Sequence, residues 1–252
     1  MYKKMVNIAL IGYGKMGQII EKTALERGHE IKVIIDPFCK TAEKDINEKT
    51  LEGVDVCIDF THPDVIVDNI KKIAKAGKNM VIGTTGWYDK MDEVKKIVKD
   101  NKVGLIWSGN FSIGVNALFR ITEYASKIFN NLKEYDIGVN EIHHTQKADS
   151  PSGTASMIGD ILVENIDRKN KIVIDTFNRK PKNDELHISS TRVGSVPGVH
   201  TIMFDSSADT IELKHTARNR CGFALGSVLA AEFIKDKKGF YHIDDMMNEI
   251  IK

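Results

Sequence analysis

The chain has 252 residues, of which 42% are hydrophobic, so it is long enough for two modest domains with proper cores. Its 36 Lys and Arg residues balance 35 Asp and Glu residues to a net charge of +1, which gives no long-range field to attract nucleic acid or an anionic membrane. The three cysteines form no CxxC pair and no run of about 18 apolar residues occurs, which favours a cytoplasmic protein acting on a small molecule, without a metal site.

The first part of the chain alternates short apolar runs with segments of helical period. This pattern is typical of a parallel sheet covered on both faces, and the Val and Ile content of the runs fits doubly buried strands. We therefore predict a Rossmann-type, doubly wound α/β domain over residues 1–112. Its strands are expected at residues 6–11, 31–35, 54–60, 79–82 and 103–107.

The second part of the chain has extended runs with polar interruptions, which indicates a second α+β domain over residues 113–222 with a mixed or antiparallel open sheet. The charge-rich stretch 167–185 is expected to be a strand edge and an exposed loop. Residues 223–252 form a C-terminal helical segment, with helices at 223–234 and 243–251. Antiparallel strands are expected at residues 135–143, 186–193, 201–204 and 209–217.

A glycine loop, GYGKMG, follows the first predicted strand and opens the first helix. Gly12 permits a tight turn, Gly14 lets the backbone approach a pyrophosphate, and Gly17 lets helix and strand pack closely. Asp36 ends the second strand, where an acid can bind the adenosine ribose hydroxyls. Loop and acid together predict dinucleotide binding, to which Tyr13, Lys15 and Met16 of the same loop contribute.

The choice of dinucleotide is less determined. Asp36 would repel a 2′-phosphate, whereas Lys15 could pair with one. NADH is therefore favoured and NADPH remains possible.

Further cofactor-binding residues are expected after the fourth and fifth strands, because ligands bind at the carboxyl ends of strands in such sheets. Small and hydroxyl-bearing residues follow both strands. The predicted residues are Gly83, Thr84 and Thr85, and then Ser108, Gly109, Asn110 and Phe111.

The segment EIHHTQKADSPSGTA, residues 141–155, places two histidines and a lysine before a helix start. An extended run through His144 would send His143 and His144 to opposite faces. Lys147 could approach His143 in a turn, where its ammonium would favour a neutral ring. Ser152 or Thr154 could cap the next helix, whose free N–H groups suit a carboxylate. These residues favour a reductase of a carboxylated substrate.

The same segment resembles the signature of the 4-hydroxy-tetrahydrodipicolinate reductase family, formerly called dihydrodipicolinate reductases. The resemblance spans nearly the whole chain and includes the glycine loop. It also includes DFTHP at 59–63, VIGTTG at 81–86, NFSIGVN at 110–116 and STRVGSVPGVHT at 190–201.

The resemblance implies NAD(P)H-dependent reduction in lysine and diaminopimelate biosynthesis, with hydride delivered to C4 of the ring. It gives the proton-donor roles to His143 and Lys147 and substrate binding to His144, Gly153 and Thr154. It also implies a homotetramer built through the second domain, and a C-terminal segment that returns to the first.

The chain departs from the family pattern near the cofactor. Its glycine loop is one residue shorter than in well-known members and carries Lys15 where arginine is common. Pro37 stands where a basic residue would assist NADPH. Two alternatives share the two-domain plan: an aspartate or diaminopimelate dehydrogenase, and a dinucleotide-sensing regulator without catalysis.

Overall fold

The computed structural model describes residues 4–174 and 176–250, and this chain divides into two units. Unit 1 consists of the chain up to Ile113 together with the chain from Arg220 onward, and unit 2 consists of Gly114–Asn219. None of the helices in these two stretches is long and apolar enough to cross a membrane.

Eleven strands and seven α-helices follow one another along the described chain. The strands are β1 (Asn7–Ile11), β2 (Glu30–Ile35), β3 (Val56–Asp59), β4 (Asn79–Ile82), β5 (Gly104–Trp107), β6 (Asp136–His143), β7 (Lys171–Val173), β8 (Glu185–Arg192), β9 (Val199–Asp205), β10 (Thr210–Thr216) and β11 (Gly239–His242). The helices are α1 (Lys15–Glu26), α2 (Pro63–Lys75), α3 (Met91–Asp100), α4 (Ile113–Phe129), α5 (Gly153–Asn165), α6 (Cys221–Ile234) and α7 (Ile243–Ile250).

Unit 1 contains a parallel six-stranded sheet in the order β11-β5-β4-β3-β1-β2. One core packs α1, α6 and α7 against the sheet, and a second core packs α2 and α3. Helices thus contribute to two separate cores, as expected for strands that are apolar on both faces. The predicted Rossmann-type sheet and its five strands are confirmed.

Strand β11 is absent from the sequence prediction. The side chain of Asn79, on β4, links the residues just before β11 to the rest of the sheet. Its amide donates to the carbonyl oxygens of Ile234 at 2.7 Å and Lys237 at 3.0 Å. Its Oδ1 accepts from the backbone N–H of Gly104 at 2.7 Å. The C-terminal segment therefore completes the first sheet as well as covering it.

Unit 2 contains a five-stranded sheet in the order β10-β9-β6-β8-β7. The β6–β9 and β9–β10 pairs are antiparallel, whereas the β6–β8 and β7–β8 pairs are parallel. The sheet is thus mixed, and the expectation that residues 186–193 form an antiparallel strand was wrong. The physical reason is that the chain returns to the same end of the sheet before β7 and again before β8, so both strands run in the direction of β6.

Strand β7 is an edge strand, as predicted for part of the 167–185 stretch. Residue 175 of that stretch and residue 251, where the last predicted helix ends, lie outside the described residues.

One hydrophobic core in unit 2 joins α4 and α5 to the sheet. Strand β6 alternates between buried and half-buried residues, so Ile137 and Val139 face this core. On β9 the core residues are Ile202 and Phe204, and Phe204 stacks on Phe129 of α4 with ring centroids 4.2 Å apart.

Candidate active site

The glycine loop between β1 and α1 has the geometry that its spacing predicts. Gly12 has φ +87°, and a Cβ there would lie 2.6 Å from the carbonyl oxygen of Phe60. A Cβ on Gly17 would lie 2.4 Å from the carbonyl oxygen of Gly12. In contrast, a Cβ on Gly14 would meet nothing within 4 Å. Two glycines are therefore required by packing, and the third leaves open backbone where a phosphate can approach.

A cavity of about 520 Å³ lies beside this loop in unit 1. Its walls come from the start of α1 and from the loops after β3 and β4, the carboxyl ends of neighbouring parallel strands. It is lined by Gly14, Lys15, Met16, Phe60, Thr61, Pro63, Gly83, Thr84, Thr85 and Arg220. Six of the predicted cofactor residues therefore share one cavity, and Arg220, which the sequence analysis missed, joins them.

Asp36 is tied to the glycine loop. Its carboxylate accepts from the backbone N–H of Tyr13 at 2.7 Å, of Phe38 at 2.7 Å and of Cys39 at 3.2 Å. Although burial acts to raise it, these hydrogen bonds hold the pKa of Asp36 below its usual range. The carboxylate is therefore ionised, and it has lone pairs left to accept from ribose hydroxyls.

Thr84 uses its hydroxyl inside the protein. It donates to Asp59 Oδ1 at 3.0 Å, and Asp59 also accepts from the hydroxyl of Thr61 at 2.7 Å and the amide of Asn69 at 2.9 Å. Burial raises the pKa of Asp59 to about 6, against the opposing effect of these donors. The network fixes the loops after β3 and β4, so Thr84 can face a ligand only through its backbone.

The loop after β5 is also internally bonded. Ser108 Oγ accepts from the N–H of Asn110 at 3.0 Å, and Asn110 Oδ1 accepts from the N–H of Ser112 at 2.9 Å. The side chain of Phe111 is 1% exposed and lies in the core, 6.3 Å from the ring of Phe60. The predicted residue Phe111 therefore has only its backbone available to a cofactor.

In unit 2, three neighbouring strands change from apolar to polar at the same end of the core face. Alternation places Glu141 and His143 on the face of β6 that carries Ile137 and Val139. On β9 the same face continues to His200, which is 4% exposed. On β8 it continues to Ser190 and Arg192, which pair in register with Glu141 and His143. The register thus gathers charged groups that are distant in sequence.

Glu141 is the hub of this polar end and is fully buried. Its Oε1 accepts from the N–H of Ser152 at 3.0 Å, the hydroxyl of Ser190 at 2.8 Å and the guanidinium of Arg192 at 2.9 Å. Burial would raise its pKa, but His200 and these donors hold the pKa of Glu141 well below its usual range. A buried carboxylate in this site is therefore charged.

His143 faces the second oxygen of Glu141, with Nδ1 and Oε2 3.2 Å apart. Burial lowers the pKa of His143, and the positive charges of Lys147 and Arg192 lower it further. The negative charge of Glu141 acts to raise this pKa but does not outweigh the other effects. A Cβ on Gly198, which has φ +153°, would lie 3.0 Å from Nε2 of the ring. His143 is thus a neutral ring held between a carboxylate and a glycine.

His144 and Lys147 lie in the loop after β6. Strand β6 ends at His143, and the N–H of Lys147 donates to the carbonyl oxygen of His144 at 3.1 Å in a turn. The ammonium of Lys147 pairs with both carboxylate oxygens of Asp149, at 2.7 and 2.8 Å. Lys147 influences the charge of His143 but is held by Asp149, a partner that the sequence analysis did not name.

Helix α5 begins as predicted, with Ser152 as its N-cap. The Ser152 hydroxyl accepts from the N–H of Ala155 at 3.2 Å, which decides between the two cap candidates in favour of Ser152. A Cβ on Gly153 would meet nothing within 4 Å. The first turn of α5 is therefore open at Gly153, and it carries the positive end of the helix dipole toward any bound anion.

Glu141, His143 and His200 place potential metal-ligand atoms within 4.8 Å of one another. The guanidinium of Arg192 on Glu141 and the hydroxyl of Ser152, 3.1 Å from His200 Nε2, already use this space. A cation would be repelled by Arg192, so we assign no metal here.

Residues of the two sites that were not identified from sequence include Arg220 in unit 1, and Asp149, Ser190, Arg192 and His200 in unit 2. Ser190, Arg192 and His200 stand within STRVGSVPGVHT at 190–201, a motif noted above. Their function depends on strand register, which a single sequence does not reveal.

Two family models match successive parts of the chain. The model described as the N-terminus of dihydrodipicolinate reductase matches residues 6–111, and the one described as its C-terminus matches residues 114–247. The chain is 38% identical over 247 residues to a 4-hydroxy-tetrahydrodipicolinate reductase of Christiangramia forsetii, covering 98% of this chain and all of that one. It is 35% identical over 276 residues to the reductase of the same name from Methanocaldococcus jannaschii, covering 98% and 99% of the two chains.

Solved structures share the fold. A dihydrodipicolinate reductase from a Paenisporosarcina species, solved with dipicolinate bound, superposes with a TM-score of 0.77 at 22% identity, covering 95% of this chain and 98% of that one. An amine dehydrogenase from Mycobacterium smegmatis gives a TM-score of 0.60 at 11% identity, covering 96% of each chain. At these identities the likeness extends to the fold alone.

Proposed function

The chain belongs to the dihydrodipicolinate reductase family, and we propose that it reduces 4-hydroxy-tetrahydrodipicolinate to tetrahydrodipicolinate in diaminopimelate and lysine biosynthesis. The hydroxy substrate loses water, and the unsaturated ring acid that results gains a hydride at C4 and one proton. The observation that most supports this function is the polar end of the unit 2 sheet, where Glu141 contacts both His143 and Ser152, the N-cap of α5, and Arg192 joins Glu141 to the backbone of Lys147. A dianionic ring acid suits the positive end of the α5 dipole and the Lys147 ammonium.

A reduced nicotinamide dinucleotide supplies the hydride when it is bound. The residues of unit 1 fit such a group, because the backbone at Gly14 is open and borders a cavity at the carboxyl ends of β3 and β4. The ionised Asp36 and the adjacent Pro37 favour NADH, and Lys15 leaves NADPH possible. We assign cofactor binding to Gly12, Tyr13, Gly14, Lys15, Met16, Gly17, Asp36, Gly83, Thr84, Thr85, Ser108, Gly109, Asn110 and Phe111.

Proton transfer in this proposal uses Lys147 and His143. Hydride addition at C4 builds negative charge on the ring, which a proton must quench. The Lys147 ammonium carries a transferable proton and its charge stabilises the developing anion. The lowered pKa of His143 keeps that ring mostly neutral, so it passes a proton on and does not store one.

Substrate carboxylates are bound by His144, Gly153 and Thr154 in this account. Nδ1 of His144 is buried and has no hydrogen-bond partner among the described residues, so this ring has an unsatisfied polar atom beside the proposed site. The space around Gly153 lets a carboxylate approach the first turn of α5.

We also propose a homotetramer in the cytoplasm. Helix α4 exposes three large apolar side chains on one face, Ile121 at 52%, Tyr124 at 71% and Ile128 at 48%, with the spacing of a helix stripe. Such a stripe on unit 2 supports contact with other copies through this unit. The three cysteines are free, which suits a reducing compartment.

The proposal is tested with purified protein, NADH and freshly made 4-hydroxy-tetrahydrodipicolinate, followed by the loss of reduced nicotinamide absorbance. We expect rapid oxidation that depends on both substrates. Aspartate and diaminopimelate, offered with the oxidised cofactor, serve as controls for the two dehydrogenase alternatives. Turnover of either control without turnover of the ring acid would reject the proposal, and binding of NADH without any turnover would favour a regulator.

A further inference from the structure

Each of the two oxygens of Glu141 faces a different part of the polar end of unit 2. Oε1 accepts from Ser152, Ser190 and Arg192, which belong to the start of α5 and to β8. Oε2 has no hydrogen-bond partner of good geometry, yet it lies 3.2 Å from His143 Nδ1 and 3.6 Å from His200 Nε2. One oxygen is thus anchored by hydrogen bonds, and the other faces two buried histidines, of which His143 is the nearer.

Arg192 extends the influence of Glu141 to the loop that carries Lys147. Its Nη2 donates to the carbonyl oxygen of Asp149 at 2.5 Å as well as to Glu141, and its Nε donates to the carbonyl oxygen of Lys147 at 3.3 Å. Arg192 thereby connects the buried carboxylate of Glu141 to the backbone of both residues of the Lys147–Asp149 ion pair. The flat guanidinium fork allows these contacts at once, which a lysine could not reproduce.

A purely structural explanation is weak for this arrangement. Burying an ion pair costs desolvation free energy, and apolar side chains of similar size would avoid that cost. A buried ion pair is therefore weak evidence that the residues serve only to stabilise the fold. The core face of β6, β8 and β9 carries apolar side chains along the rest of its length. The charged side chains occur only at the end that holds His143 and leads into the loop of Lys147.

We propose that Glu141 and Arg192 are positioning residues for the reaction proposed above: Glu141 orients the ring of His143 through Nδ1, and Arg192 fixes the loop that presents Lys147. This inference rests on the proposed function for its catalytic meaning. We assign the proton of the neutral ring to Nδ1, because this atom lies 3.2 Å from the Glu141 carboxylate, and Nε2 then faces the side lined by Gly198. Neither positioning residue needs to touch the substrate.

The charged and titratable groups facing His143 are Glu141 on its own strand, Arg192 on β8, His200 on β9 and Lys147 in the following loop. Among these, only Glu141 acts to raise the pKa of His143. Removing that charge must therefore lower the pKa of His143 further, an effect that loss of general stability would not produce.

The test compares Glu141→Gln with Glu185→Gln. Glu185 is a matched control, because it is also a buried carboxylate on this sheet, bound by Arg179 at 2.6 and 2.9 Å, but at the other end of β8. We expect Glu141→Gln to lower kcat about 10-fold or more, with NADH affinity unchanged, and to lower the pKa of His143 in an NMR titration. Glu185→Gln should leave kcat and that titration as in the wild type.

Arg192→Lys provides a second variant if Glu141→Gln does not fold. It keeps the positive charge but loses the fork, so we expect a lower kcat with little change in the His143 titration. A wild-type kcat in Arg192→Lys, or equal effects of Glu141→Gln and Glu185→Gln on both readouts, would overturn the proposal. The titration and NADH binding need no ring substrate, so they remain informative even if the proposed activity fails.

Discussion

The carboxylate of Asp36 accepts a hydrogen bond of 2.7 Å from the backbone N–H of Tyr13, which ties the end of β2 to the glycine loop after β1. The acid that is expected to bind ribose therefore also shapes the loop that is expected to bind phosphate. Both tasks follow from one ionised side chain.

Asp36→Ala should weaken NADH binding about 10-fold or more and NADPH binding by less, because the acid favours ribose hydroxyls and repels a 2′-phosphate. Titration of both cofactors by fluorescence or calorimetry measures this difference, with the exposed Asp45→Ala as control. Equal weakening of the two cofactors would mean that Asp36 acts only through the loop.

Gly12→Ala should abolish dinucleotide binding and destabilise the fold by about 1–3 kcal/mol, since its Cβ would lie 2.6 Å from the carbonyl oxygen of Phe60 at φ +87°. Gly28→Ala is the matched control, with φ +84° but no atom within 4 Å. That variant should lose some stability in urea and keep its cofactor affinity. Wild-type binding by Gly12→Ala would contradict the loop assignment.

Lys147→Ala and His143→Ala should each lower kcat about 10²-fold or more, as loss of a positioned proton donor does. Steady-state kinetics measures kcat for both variants. The control is Lys214→Ala, which removes an exposed lysine on β10 of the same sheet and should leave kcat unchanged. Turnover near the wild-type value in both variants would remove these residues from the chemistry.

The charge of Glu141 should give the fold a specific pH dependence. Because its pKa is lower in the folded protein than its ordinary value of 4.5, its contribution is fully present above that pH and is lost as the pH falls through the folded pKa. The difference in urea stability between wild type and Glu141→Gln should therefore be largest near pH 7 and shrink below about pH 4.5. A difference independent of pH would show that the pKa of Glu141 does not change on folding, which would contradict this prediction.

Tyr124→Glu should dissociate the proposed tetramer, because it places a charge in the apolar stripe of α4. Analytical ultracentrifugation compares its mass with that of wild type and Tyr124→Phe. If the wild type sediments as a monomer at micromolar concentration, the stripe does not join copies of this chain.

Features set by neighbouring residues could be predicted from the sequence. The glycine loop needs only the steric freedom of Gly12 and Gly17, and the start of α5 needs only the hydroxyl of Ser152. The Rossmann-type sheet follows from apolar runs bounded by turns, because a doubly buried strand carries that pattern within itself.

Features set by long-range pairing could not be predicted in the same way. Strand β11 is a half-buried run of four residues that becomes a strand because β5 offers it a parallel edge. The parallel β6–β8 register brings Arg192, about fifty residues later in the chain, into hydrogen-bonding contact with Glu141. The sequence places His143 and Lys147 in one segment with Glu141 and Asp149, but the Arg192 contacts that join this segment to β8 depend on the fold.

In the proposed reaction, hydride passes from the nicotinamide to C4 of the ring acid. NADH carrying deuterium at the transferred position of nicotinamide C4, incubated with 4-hydroxy-tetrahydrodipicolinate and the enzyme, tests it most directly. We expect one deuterium at ring C4 of the product, located by NMR and mass spectrometry. Product without deuterium at that carbon, formed while the NADH is consumed, would contradict it.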